Sequence, residues 1–153
     1  GDHLNPNNYR PLGLNNTLSK LWTSMITRVL STYSELNYIL SDALEGVRTN
    51  KNAHKHILNL IHDIQDASHH HQDLYAAYFD FSNAFNMINH SHLATTMQEL
   101  GYTEDMINTV QGIYTDATTS VLYRGQSGPP VPIGRGTIQG DSLSPLLFLI
   151  FIG

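Results

Sequence analysis

The sequence predicts an α+β fold in which helices alternate with short strands, and three observations carry that reading. Residues Thr17 to Tyr33 hold an apolar set at helical spacing, and Leu74 to Phe79 is a short run that is apolar on both faces. Ala117 to Tyr123 is rich in Thr and Val and leads into a Gly- and Pro-bearing turn. With 153 residues, 41% hydrophobic and 14% charged, the chain suits one compact domain and is too short to argue for two.

Taken in order, the first element is the best defined. Leu18, Leu21, Trp22, Met25, Ile26, Val29, Leu30 and Tyr33 step by three and four, which makes one face of a helix. Ser34 to Asn52 is polar and broken by Gly46, which reads as loop or short strands. A second helix is expected from about Ala53, with Ile57, Leu60, Ile61, Ile64 and Ala67 on one side, ending near His69-His70-His71. Leu74 to Phe79 suits a central strand covered on both faces. Helical patterns follow at Leu93 to Leu100 and Met106 to Tyr114, with Gly101 between them as a C-terminal stop. A strand over Ala117 to Tyr123, a turn at Gly125 to Pro130 and an extended piece ending near Thr137 come next. Ser144-Pro145 then offers an N-cap and a first-position proline for the helix PLLFLIFI, and a chain stopping inside its most apolar helix is expected to be a fragment.

Composition narrows the function classes. Without cysteine there is neither a disulfide framework nor a thiolate metal site, which fits a reducing compartment. The N-terminal residues lack a basic segment followed by an apolar run, and Leu146 to Ile152 is far shorter than the roughly 20 residues of a membrane span. An intracellular protein, cytoplasmic or nuclear, is the expectation. The formal charge of −5 argues mildly against nucleic acid as a partner, since such binders usually present a basic face.

Four stretches carry candidate chemistry. Asp80 ends the apolar run of YAAYFDFSNAF, at what would be the rim of a sheet, where α/β proteins place ligands. Two readings stand beside each other: a ligand to a metal or cation, and a cap on the helix expected near Ser82. In Arg135-Gly-Thr-Ile-Gln139-Gly140-Asp-Ser-Leu-Ser-Pro145, Gly136 and Gly140 let backbone approach a ligand, and Arg135 and Gln139 supply donors. Asn8-Tyr-Arg10-Pro-Leu with Lys20, and Glu45-Gly-Val-Arg48-Thr-Asn-Lys51, each place cations near a chain bend. Exposed cations of this kind are usually only solvated. The histidines invite a zinc reading, but three in a row point in different directions, and His56 and His62 are not an i, i+4 pair. A polar helix end is the better account of them, and a metal-dependent hydrolase built on Asp80 and these histidines has little support.

In this order, NYRPLGLNNTLSKLW, EGVRTNKNAHKHI, AAYFDFSNAFNMINH and RGTIQGDSLSPLLF resemble the successive blocks of reverse transcriptases from non-LTR (LINE-type) retrotransposons, from about Asn8 to the end of the chain. The resemblance implies an incomplete right-hand polymerase, with fingers-like blocks over about 8–72 and palm-like blocks over about 73–153, helices packing on a small mixed or antiparallel palm sheet. It implies RNA-templated DNA synthesis by two-metal phosphoryl transfer, with RNA template, DNA primer and dNTP as partners and Mg²⁺ or Mn²⁺ as cofactor, in a completed domain. Asp80 matches the first catalytic aspartate, a ligand to both ions, and the Phe81 backbone carbonyl matches a further ligand. Phe85 matches the aromatic that discriminates against a 2′-OH, although a plain core role is the usual fate of such a residue. Arg48 matches a triphosphate contact and Gln139-Gly140 the pair lining the nucleotide pocket. Arg10, Lys20, Lys51 and Arg135 are candidates for nucleic-acid or triphosphate contacts.

Three positions depart from the pattern: Val47 where Phe is usual, Asn83 where Lys is common and Asn86 where Asp is common. The family's next motif, an aromatic followed after one or two residues by paired aspartates on a hairpin, would follow the last helix. A single carboxylate cannot hold two ions about 3.5–4 Å apart. These residues alone are therefore expected not to polymerise, and the competing expectation is an inactive relic or nucleic-acid-binding module.

Overall fold

The computed structural model describes residues 5, 9, 12–46, 48 and 51–153, so Arg10 and Val47 lie outside the described residues. The fold is mixed, with helices and small antiparallel sheets, as the α+β expectation has it. The chain forms two compact units, one of residues 1–40 with 83–153 and the other of residues 41–82. No helix among the described residues is long and apolar enough to cross a membrane.

The larger unit is organised around its last helix. Helices α1 (Thr17–Leu36), α3 (His90–Glu99), α4 (Glu104–Tyr114) and α5 (Leu143–Ile152) belong to it, with a 3₁₀ turn at Ala84–Met87. Helix α5 is apolar all round and so must be covered all round. It packs on α1, on α3 and on the 3₁₀ turn, and α3 packs in turn on α4. Leu30, Ile88, Leu93, Met97, Leu143, Leu147 and Ile150 are fully buried there. Burial of each such side chain contributes about 1.5–3 kcal/mol.

Helix starts and stops follow local chemistry. Asn16, Asn89 and Thr103 cap α1, α3 and α4 by accepting from the N–H of Ser19, His92 and Met106. Gly101 ends α3 with φ +84, as expected. Its N–H donates to Gln98 O and that of Tyr102 to Met97 O, the paired bonds of a Schellman stop. Ser144 does not cap α5: the helix begins at Leu143, and the Ser144 hydroxyl donates to Ile138 O at 2.8 Å. Pro145 still falls in the first turn, where its missing N–H has no partner to lose.

The apolar face read for α1 is only partly the buried one. Its buried line is Thr23, Ile26, Leu30 and Ser34, whereas Leu18, Leu21, Trp22, Met25 and Val29 are exposed. The two hydroxyls enter the core because each finds a partner. Ser34 bonds to the Tyr102 hydroxyl at 2.6 Å, and Thr23 donates to the Asp141 carboxylate at 2.6 Å.

Between α4 and α5 runs a β-ribbon of two ladders, β1 (Thr118–Thr119) with β4 (Val131–Pro132) and β2 (Leu122–Tyr123) with β3 (Gln126–Ser127), all antiparallel. Arg124 and Gly125, both at positive φ, make its two-residue turn. The expected strand over Ala117–Tyr123 is thus broken in two. The break faces Gly128-Pro129-Pro130, where the prolines lack the N–H that would continue a ladder.

The smaller unit contains α2 (His54–His69) and flanking segments. Ser41–Asn52 holds turns and no strand among its described residues. Helix α2 buries none of its residues, and Ile57, Leu58, Ile61 and Ile64 are exposed. The histidine run is its stop: His69 is the last helical residue, His70 the cap, and His71 takes φ +53. Leu74–Phe79 is not the central strand expected. The segment pairs with no other among the described residues and is exposed throughout, Phe79 at 91%. A run apolar on both faces forms a strand only when neighbours supply ladders and cover, and here none does.

Candidate functional site

Two segments distant in sequence close on each other in the larger unit: the 3₁₀ turn Ala84–Met87 and the loop Ile133–Ser142. Backbone bonds join them. Gly136 N–H donates to Ile88 O at 2.7 Å and Thr137 N–H to Phe85 O at 2.9 Å. Gly136 sits at φ +82, and a Cβ there would lie 2.9 Å from Asn86 Cα and 3.0 Å from Asn86 O. Only glycine allows this approach without displacing backbone.

Side chains lock the same contact. The Gln139 amide donates to Asn86 Oδ1 at 3.2 Å. His90 Nε2 donates to Gly136 O at 2.7 Å, since a carbonyl only accepts, and its ring stacks on Tyr114 at 4.4 Å. Phe85 is half-buried, with its ring 5.4 Å from that of Phe148 on α5. It therefore packs as a core aromatic on one side. Behind the loop, Gly13 N–H donates to Gln139 O at 2.8 Å, and Gly140 takes φ +101. The Thr137 hydroxyl is buried with no hydrogen-bond partner among the described residues.

Asp141, one residue past Gly140, is buried and accepts from Thr23. Burial, and after it the Asp141 charge, raises the pKa of the Tyr114 phenol. Neither Thr23 nor Asp141 stood out in the sequence, and they are 118 residues apart. His90 and Asn86 lie inside the quoted blocks, but no spacing rule singles out their partners.

Phe85, Arg135, Gln139 and Gly140 thus share one neighbourhood, with Arg135 exposed. Lys20 is exposed on α1. Asp80, Phe81, Arg48 and Lys51 belong to the smaller unit. Asp80 is solvent-exposed, so its charge carries no burial cost that a partner must offset. The turn at Ala84 has Asn83 at its N-cap, at φ 53, and no side chain bonded into it, so the helix-cap reading of an acid here is not realised. Arg48 is buried and donates through Nη1 to Ser41 O at 2.6 Å and Leu44 O at 2.9 Å, which ties the Ser41–Arg48 loop together. Lys51 pairs with Asp42, and that bond and charge, with smaller help from Arg48 and Lys55, hold the Asp42 carboxyl below the usual range. Glu45 is buried between Lys55 at 3.4 Å and His56 at 3.6 Å.

The sequence profile of the family described as reverse transcriptase (RNA-dependent DNA polymerase) matches residues 2–153. The chain belongs to the reverse transcriptase family. It is 30% identical over 149 residues to a retrovirus-related Pol polyprotein from the type-1 retrotransposable element R2 of Popillia japonica. That match covers 97% of the chain and 20% of the relative. It is 27% identical over 146 residues to a probable RNA-directed DNA polymerase from transposon BS of Drosophila melanogaster, covering 95% of the chain and 16% of that protein. A third relative, the Pol polyprotein of the type-2 element R2DM of Drosophila melanogaster, is 34% identical over 79 residues, covering 52% of the chain and 8% of that protein. The chain spans a fifth or less of the length of these relatives. No solved structure matches it.

The family's divalent ions can be tested against the residues present. Mg²⁺ takes oxygen ligands in near-octahedral geometry. Among the described residues no group of three or more His, Asp or Glu side chains stands close enough to hold a cation. The exposed Asp80 carboxylate and the Phe81 carbonyl do not by themselves fit a pair of such ions.

Proposed function

We propose that this chain is fingers-and-palm sequence of a retroelement RNA-directed DNA polymerase, which extends a primer on an RNA template once further carboxylates join Asp80. The observation that carries the reading is the clamp between the Phe85–Asn86 turn and the Gln139–Gly140 loop, in a chain that belongs to this family. Two blocks that the family places around a nucleotide meet here through residues 53 apart.

On this reading the chain's own residues bind and orient. Gln139 is held by Asn86 so that its side chain has a set direction beside the pocket. Phe85, anchored by Phe148, presents a fixed ring to the incoming sugar and leaves no room for a 2′-OH. Arg48 and Lys51 supply positive charge for the triphosphate, Arg48 while also holding its loop closed. Arg10, Lys20 and Arg135 contribute to the nucleic-acid path. Asp80, with the Phe81 carbonyl, is one part of a larger oxygen ligand set for Mg²⁺ or Mn²⁺.

The test is primer extension on an RNA template by a protein that continues beyond these residues, compared with its Asp80→Ala variant. Extension should fall to background in the variant. Equal extension would remove Asp80 from catalysis, and no extension by either would favour the inactive or binding-module reading. In the same assay Phe85→Val should admit ribonucleotides, and unchanged dNTP/rNTP selectivity in an active enzyme would remove the gate assignment.

A further inference from the structure

A cavity of about 450 Å³ opens in the larger unit, between α1, α4 and the Ile138–Asp141 segment. That volume is within the range of small-ligand sites. Trp22, 55% exposed, forms one wall. Asn15, Ser19 and Asn108 surround it, and the Asp141 carboxylate, braced by Thr23, lines it as well. The side-chain amides of Asn15 and Asn108, the Ser19 hydroxyl and the Trp22 indole N–H make no hydrogen bond among the described residues. An aromatic wall thus stands among neutral polar groups whose donors and acceptors are free for a ligand.

The chemistry of the lining selects the ligand class. No Lys or Arg lines the cavity and one carboxylate does, so phosphate is disfavoured. A flat, neutral, hydrogen-bonding ring suits the site: the indole offers a stacking surface, the amides both donate and accept, and the carboxylate accepts. We infer that this cavity binds an unpaired nucleobase bearing an exocyclic amine, stacked on Trp22 with its amine toward Asp141. Cytosine presents an N4 amine where uracil presents the O4 acceptor, so a carboxylate favours the first and repels the second. The inference rests on the polymerase reading only for the source of such a base, a single-stranded stretch of template or primer.

Trp22 is the sole tryptophan of the chain, so selectively excited indole emission reports on this cavity directly. Cytidine should quench it saturably, uridine should bind roughly five-fold more weakly, and inorganic phosphate should have no effect. Asn108 is exposed on α4, so Asn108→Phe is expected to fold and fill the cavity, abolishing cytidine binding; Asn15→Ala should weaken it. Equilibrium dialysis of cytidine against the same proteins checks the result without optics. Absence of saturable cytidine binding by dialysis, equal affinity for uridine, or unchanged binding in Asn108→Phe would each overturn the inference. The measurement needs neither metal nor catalysis, so it stands apart from the fate of Asp80 in the extension assay.

Discussion

Gly136→Ala is expected to be among the most damaging single-methyl changes in the larger unit. At φ +82 an alanine pays the left-handed penalty of about 1–2 kcal/mol. Its Cβ would also stand 2.9, 3.0 and 3.1 Å from Asn86 Cα, O and C. These are backbone atoms and cannot rotate away, so the loop or the turn must shift, an overpacking cost of about 1–3 kcal/mol. Any shift stretches the bonds from Gly136 to Ile88 and from Thr137 to Phe85, now 2.7 and 2.9 Å. The sum is about 2–5 kcal/mol, and at roughly 2–4 °C per kcal/mol for this size the melting temperature should fall by at least about 4 °C. Thermal unfolding followed by circular dichroism is the assay. Gly134→Ala is the control, because its Cβ meets nothing within 4 Å and its φ is ordinary. If the two variants melt within about 1 °C of each other, the clamp between turn and loop is not as described.

Thr23→Val removes the donor to a buried carboxylate and should cost about 1–3 kcal/mol in urea unfolding. Adding Asp141→Asn should cost less than the two changes separately, and strict additivity would mean that the pair is not coupled. Burial, aided by the nearby Tyr33 and opposed by Ser34, raises the Tyr102 phenol, and burial followed by the Asp141 charge raises that of Tyr114. Tyrosines of the unfolded chain ionise near pH 10, so this stability is intact below about pH 10 and is lost as pH rises toward the folded values. Tyr114→Phe should flatten the decline above about pH 10, and an unchanged slope would count against the assignment. Arg48→Leu strips the donors from Ser41 O and Leu44 O and should expose the Ser41–Gly46 segment to limited proteolysis; a cleavage rate equal to wild type would show that those bonds do not hold it.

Helices were legible because their signals are local. The periodicity of Thr17–Tyr33 and Met106–Tyr114 and the glycine stop at Gly101 each concern residues a turn or two apart, and all three elements form. The site blocks were legible as motifs, and Phe85, Gln139 and Gly140 do share one neighbourhood. Other expectations turned out otherwise. Leu74–Phe79 has strand composition but no ladder, α1 buries a line rotated away from much of its apolar face, and Ser144 bonds to Ile138 O instead of capping α5. For α1 a deciding partner lies far along the chain, for Ser144 it lies outside its own helix, and for Leu74–Phe79 no pairing segment is found among the described residues.

By itself, then, the sequence determined that helices lie about Thr17–Tyr33, Ala53–His69, Leu93–Leu100 and Met106–Tyr114, that Gly101 stops one of them, and which family's blocks the chain carries. Tertiary structure alone decided that Asn86 receives Gln139, that Thr23 reaches Asp141 across 118 residues, and that Gly136 lies against the Asn86 backbone. Hydrogen-bond partners and steric contacts depend on distances in space. Spacing along a chain predicts those distances only within a turn of helix or a short hairpin.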